Sequence, residues 1–124
     1  MSRIFSDQFT VSQVISVPDG DSFRCTLANC PGILGDRIRV RIAEIDTPEM
    51  SALSVHERNL AIKARGFLAA MIQEATVIRL SRCRRDKYFR ILAAVECDGI
   101  DVAAELIRHG HARRYTGGPR GKWS

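Results

Sequence analysis

The stretch Arg37-Ile38-Arg39-Val40-Arg41-Ile42-Ala43-Glu44-Ile45, followed at once by Asp46-Thr47-Pro48-Glu49, decides how the rest of this chain reads. Basic or small residues alternate with Val40 and Ile42, the period of a strand with one buried face, which predicts a third strand over 37–45. Pro48 stops the ladder and holds Thr47 extended. Asp46 and Glu49 therefore stand just off a sheet end. Two carboxylates placed there could bind a hard cation through oxygen, or simply form a solvated turn. Arg37, Arg39 and Arg41 fall on one strand face. Three arginines do not make a plain core face, and Arg41 lies closest to the acidic turn.

On the amino-terminal side, Phe9 to Val17 is rich in β-branched and apolar residues and reads as a strand. Pro18-Asp19-Gly20-Asp21 is a turn signal, and Ser22 to Leu27 reads as the returning strand. Asn29 to Gly35 reads as a loop. On the carboxyl-terminal side a helix starts at Ser54, where Ser54 and Glu57 have the spacing of a capping box. Leu60, Ala61, Ala64, Leu68, Met71 and Ile72 recur on one helical stripe, which is expected to pack in the core. Thr76–Arg82 and Ile91–Cys97 read as strands four and five, with a turn at Asp98-Gly99. A short helix over Asp101–His109 is capped by Asp101 and ended by Gly110. From Arg113 onward the chain is a basic, glycine-rich tail. Three strands, a helix, two strands and a helix predict an α+β fold: a five-stranded Greek-key barrel of the oligonucleotide-binding (OB) type, with two helices and a short tail, forming one domain over 1–124.

The composition is that of an ordinary globular chain, 45% hydrophobic and 27% charged. No apolar run approaches the roughly 20 residues that span a bilayer, so no membrane partner is expected. Met1 to Phe9 lacks the apolar segment of a signal peptide, which leaves a cytoplasmic protein or a processed secreted form. The net charge of +5 attracts polyanions, nucleic acid among them. The four cysteines, Cys25, Cys30, Cys83 and Cys97, lack the usual C-x2-C spacing of zinc sites and are expected to be reduced and buried, in a monomer. His56, His109 and His111 flank helix ends, where positive charge at a C-terminus is favourable, and are assigned structural roles.

A second basic run, Arg82, Arg84, Arg85, Lys87 and Arg90, surrounds Tyr88. Guanidinium forks match phosphate oxygens and a tyrosine ring can stack on a base. Taken alone the run could be a solvated hairpin. Acids that hold a cation, arginines that clamp phosphate and one further carboxylate to handle water would together suffice for phosphodiester hydrolysis. A pure binding module needs the arginines but gains nothing from acids that repel phosphate.

Four blocks of the chain resemble the staphylococcal nuclease (thermonuclease) family: Asp19-Gly20-Asp21-Ser22-Phe23, Arg41 through Asp46-Thr47-Pro48-Glu49, Asp86-Lys87-Tyr88-Phe89-Arg90, and Asp98-Gly99 with Leu106 to Ala112. Their order and spacing match from about Val11 to Ala112. The resemblance implies the OB-like barrel and calcium-dependent cleavage of DNA and RNA. By position it makes Asp21 and Asp46 the calcium carboxylates, with the backbone carbonyl of Thr47 as a further ligand. Glu49 matches the base that activates water. Arg41 and Arg90 match the arginines that stabilise charge on the pentacoordinate phosphorus. Asp19 neighbours the metal, and Lys87 and Tyr88 match residues that contact a terminal phosphate. In the family the 5′ oxygen leaves, so products carry 3′-phosphate. With few ligands and nearby arginines, the cation is expected to be held weakly without nucleotide. Phe89 stands where the family usually has glycine, and the family's third helix is expected to be missing or replaced by Tyr115 to Ser124. A catalytically inactive OB-like module that binds nucleic acid or protein is the competing reading.

Overall fold

The computed structural model describes residues 7–86 and 90–123. Strands β1 (Phe9–Asp19), β2 (Ser22–Leu27) and β3 (Ile38–Ile42) form an antiparallel meander. β5 (Ile78–Arg85) and β6 (Ile91–Cys97) form an antiparallel hairpin. The two units join twice. The start of β1 pairs with β5 through Phe9 and Leu80, and β3 runs parallel to β6 through Val40–Ile91 and Ile42–Ala93. The circuit β1-β2-β3-β6-β5 thereby closes into the expected five-stranded barrel, and closure removes the free sheet edges. Irregularities in β1 and β5 supply the bending that closure needs; in β5 the break falls between Ser81 and Arg84, where Arg82 has φ +50°. A two-residue strand β7 (Ile100–Asp101) folds back antiparallel on the end of β6 and leads into helix α3 (Val102–Arg108), whose first turn is capped by the Asp101 side chain.

Phe23, Val40, Ile42, Leu80, Ala93 and Val95 fill the barrel, and Val102 and Leu106 of α3 are buried with them. Helix α2 (Val55–Glu74) covers the barrel with a stripe narrower than expected: Ala61, Ala64, Leu68 and Ile72 are buried, whereas Leu60 and Met71 are only partly so. Small residues on that stripe let the helix backbone come close. A Cβ built on Gly20 would lie 2.7 Å from Cβ of Ala64 and 3.2 Å from its carbonyl carbon. Glycine is therefore what allows the Asp19–Asp21 turn to sit under the helix. Arg65 of the same helix donates to the Val17 carbonyl at 2.9 Å, fixing the end of β1 from above.

Three local expectations need correction. The third strand does not run from 37 to 45. Arg37 has φ +52° and lies exposed before β3, so only Arg39 and Arg41 share its face. β3 stops at Ile42, the chain turns at Glu44 (φ +66°), and Ile45–Asp46 forms a separate strand, β4. The Arg41 guanidinium spans this turn, donating to the Ile42 carbonyl at 2.8 Å and the Ile45 carbonyl at 3.0 Å. The segment 29–35 includes a one-turn helix, α1 (Gly32–Gly35), behind Pro31, so the described residues form three helices, not two. The capping box at α2 is half formed: Ser54 accepts from the Glu57 N–H at 3.3 Å, but the Glu57 carboxylate turns to the Glu49 N–H. The basic tail begins with a short strand, since Arg113–Arg114 forms β8, antiparallel to β4.

Candidate active site

The tight turn between β1 and β2 places Asp19 and Asp21 on either side of the buried Gly20. β3 is hydrogen-bonded to β2 in a register that sets Ser22 opposite Arg41 and Arg24 opposite Arg39. Each arginine consequently meets one acid of the turn. Arg39 Nη2 lies 3.3 Å from Asp19, and Arg41 Nη2 lies 3.3 Å from Asp21. Ser22 donates to Asp19 at 2.6 Å. Both members of the Arg41–Asp21 pair are nearly enclosed. Burial outweighs the attraction of Arg41, and with the charge of Asp19 nearby it raises the Asp21 carboxyl from 3.8 to about 6, while a hydrogen bond from Thr47 pulls the other way.

β4 and the Thr47-Pro48 corner supply the next group. Asp46 is 1% exposed, and its Oδ2 accepts a two-pronged contact from Arg113 of β8, Nη2 at 2.9 Å and Nε at 3.2 Å. Its Oδ1 is buried without a hydrogen bond, the Nη1 of Arg120 standing 3.4 Å away. Thr47 is buried and Glu49 is exposed. The Glu49 backbone is tied to α2 through Glu57 Oε2 at 3.1 Å, and its Oε1 receives Arg120 Nη1 at 2.5 Å. At the β5–β6 end, Asp86 holds Arg90 through the backbone N–H at 3.0 Å and Nε at 2.6 Å.

These groups border one cavity of about 320 Å³, lined by Asp19, Asp21, Arg39, Arg41, Thr47, Glu49, Arg90 and Arg120 among others. Asp46 lies behind its wall. A second cavity of about 520 Å³ adjoins it, sharing Arg41, Arg90 and Arg120 and adding Arg84, Leu92 and Tyr115. Of the residues singled out in the sequence, Asp19, Asp21, Arg41, Thr47, Glu49 and Arg90 meet at the first cavity and Asp46 sits next to it. Lys87, Tyr88 and Phe89 lie outside the described residues. The three histidines line neither cavity. Sequence reasoning missed Arg39 as a partner of Asp19, and Arg113 and Arg120 altogether. The basic residues of the tail were a signal that something anionic lay nearby, but nothing in their spacing said what.

The available donors are oxygens: the carboxylates of Asp21 and Asp46 and the carbonyl of Thr47. Hard cations such as calcium and magnesium take such ligands, and a buried carboxylate oxygen lacking a hydrogen bond is suited to one. No three side chains of His, Cys, Asp or Glu gather as a closed cage among the described residues. A cation held here would have open positions for water or phosphate.

Comparisons with known proteins cover most of the chain. The model of the family described as staphylococcal nuclease homologue matches residues 39–122. An "uncharacterized endonuclease" of Haemophilus influenzae is 30% identical over 103 residues, covering 83% of this chain and 51% of that protein. Endonuclease Htp3 of Saprolegnia parasitica is 28% identical over 116 residues, covering 83% and 54%. The probable endonuclease LCL3 of Podospora anserina is 31% identical over 137 residues, covering 91% and 48%. The chain spans about half the length of the curated relatives it matches.

Proposed function

This chain belongs to the staphylococcal nuclease homologue family, and from that premise we propose that it is a nuclease that hydrolyses phosphodiester bonds of DNA or RNA in the cavity between Asp21, Glu49, Arg41 and Arg90. The observation that carries the reading is the meeting of these four side chains at one opening although they come from the β1–β2 turn, the corner after β4, β3 and the start of β6. A binding module has no use for acids at a phosphate seat. The relatives' names as endonucleases point the same way.

Asp21, Asp46 and the Thr47 carbonyl would hold calcium, which when bound offsets the repulsion between these carboxylates and a phosphate. The rest is the work of the chain. Glu49 is exposed at the cavity and takes a proton from the attacking water. Arg41, fixed by two carbonyls and Asp21, and Arg90, fixed by Asp86, present guanidiniums to the phosphorane oxygens. Guanidiniums keep their charge at any working pH, so they stabilise charge and do not donate protons. Asp19 supports the site from the side, holding Arg39 and accepting from Ser22. The adjoining cavity with Tyr115 and Leu92 has room for a nucleotide, and Lys87 and Tyr88 are assigned to a terminal phosphate. The 5′ oxygen departs and takes up a proton from solvent, leaving a 5′ hydroxyl and a 3′-phosphate. The whole acts as a single domain and a monomer.

Incubation of plasmid DNA and of RNA with the protein and calcium tests this directly. Degradation that a chelator abolishes is expected. Glu49→Ala and Arg41→Lys should each lower the rate on the order of 10²–10³-fold while circular dichroism stays that of the parent. Undiminished cleavage in chelator rejects the calcium reading. Absence of cleavage with any divalent metal supports the nucleic-acid-binding module instead, and near-normal rates in both variants reject the residue roles.

A further inference from the structure

The carboxyl-terminal segment is a strap built to deliver one guanidinium. β8 ties it to β4, and the Tyr115 N–H donates to the Glu44 carbonyl at 3.0 Å. It turns at Gly117 and Gly118, both at positive φ, where the Tyr115 hydroxyl donates to the Gly118 carbonyl at 2.6 Å. Arg113 then draws the end back: its guanidinium donates to the Gly121 and Lys122 carbonyls and lies 4.2 Å from the Trp123 ring. Between these anchors Arg120 passes the Tyr115 ring and reaches Glu49 and Asp46.

The contact is with two carboxylates that the nuclease reading gives to other work. Nη1 sits on Oε1 of Glu49 and 3.4 Å from Oδ1 of Asp46, the buried oxygen without a hydrogen bond. A calcium ion on that oxygen would stand about 2.3–2.6 Å from it. A guanidinium nitrogen 3.4 Å from the same oxygen is repelled by a divalent charge held there. The cation and the Arg120 guanidinium thus compete for the same carboxylate oxygen. Arg120 has somewhere to go: it is 40% exposed and borders both cavities, as do Arg41 and Arg90. A phosphate between those two arginines lies within the sweep of a third.

We propose that Arg120 is a substrate-binding residue that exchanges partners: its guanidinium neutralises Asp46 and Glu49 in the unloaded site and moves to the phosphate when the cation and the nucleic acid bind. The exchange rests on the nuclease reading and deepens it. Arg120 weakens cation binding to the empty site and strengthens phosphate binding to the loaded one. Its departure to the phosphate frees Glu49 Oε1 for the attacking water.

Two calorimetric titrations test the exchange on the full chain. One follows calcium alone. The other follows thymidine 5′-monophosphate, which has no diester to cleave, in the presence of calcium. Arg120→Gln is expected to bind calcium at least about fivefold more tightly than the parent and the nucleotide at least about fivefold more weakly. Arg120→Lys, with the charge but not the fork, should fall between them on both. Calcium affinity that is unchanged or weaker in the glutamine variant overturns the exchange, as does unchanged nucleotide affinity or a lysine variant that matches glutamine on calcium. If no protein binds calcium with or without nucleotide, the calcium reading of the site falls and the exchange with it. Equal calcium binding by parent and glutamine variant removes the exchange alone.

Discussion

Asp21 shows how a residue suited to the site is ill suited to the fold. Its carboxyl is enclosed beside Asp19, and Arg41 compensates only part of the loss of water. Because the folded state raises its pKa from 3.8 to about 6, the folded protein holds this proton more tightly than the unfolded chain does. Its contribution to stability is complete below about pH 4 and is lost as pH rises to about 6. Asp21→Asn should therefore stabilise the metal-free protein above about pH 6, by on the order of 2 kcal/mol, and hardly at all near pH 3.5. Urea denaturation at the two pH values with chelator present measures this, and equal gains at both would contradict it. Activity should be lost in the same variant, a stability–function conflict of the kind expected at a charged cleft. Asp21, Arg41 and Asp46 were legible in the sequence because each stands in a short block whose turn chemistry is local. The pairing of Arg39 with Asp19 was not, since the register of β2 against β3 is set across the sheet.

At the scale of elements, the turn after β1 and the helix α2 form one unit. Turn residues on either side of a glycine could be read from sequence, but the reason for the glycine could not. It lies 44 positions from Ala64, and only packing brings the two together. Gly20→Ala would push a methyl group into a helix backbone that Arg65 already ties to β1, so the turn must move. A loss of about 1–3 kcal/mol is expected, with reduced cleavage because Asp19 and Asp21 move with the turn. Thermal unfolding and the plasmid assay on the same sample test it, and a variant equal to the parent in both would show that the helix yields freely. The half-formed capping box carries the same lesson. The spacing of Ser54 and Glu57 correctly marked the start of α2, yet the Glu57 carboxylate went to the Glu49 N–H because the chain after Pro48 returns past the helix end.

At the scale of the molecule, barrel closure and the tail complete the site. β3 meets β6 in parallel, which sets Arg41 beside Leu92, two residues from Arg90. The tail crosses β4 and buries one charge against another. Arg113→Ala would leave the enclosed Asp46 carboxylate without its two-pronged partner and would release the strap from Gly121 and Lys122. A buried charge that loses its partner is costly, though Arg113 is itself partly in water, so about 2 kcal/mol of destabilisation is expected. Chemical denaturation should show this, together with faster proteolysis beyond residue 112; unchanged stability would mean that Asp46 finds other compensation.

The sequence by itself determined the strand periodicities, the start of α2, the turn at Asp19–Asp21 and the acidic corner at 46–49, because each depends on residues within a few positions of one another. It also carried the family resemblance, hence the barrel. Tertiary structure alone decided that β3 stops at Ile42 before a turn at Glu44, that β4 pairs with β8, and that Arg113 and Arg120 reach Asp46 and Glu49 from about 70 residues away. Those contacts follow from ion pairing around the enclosed Asp46 and the exposed Glu49. Any of the many arginines could have met that need, and only the path of the folded chain selects which ones do.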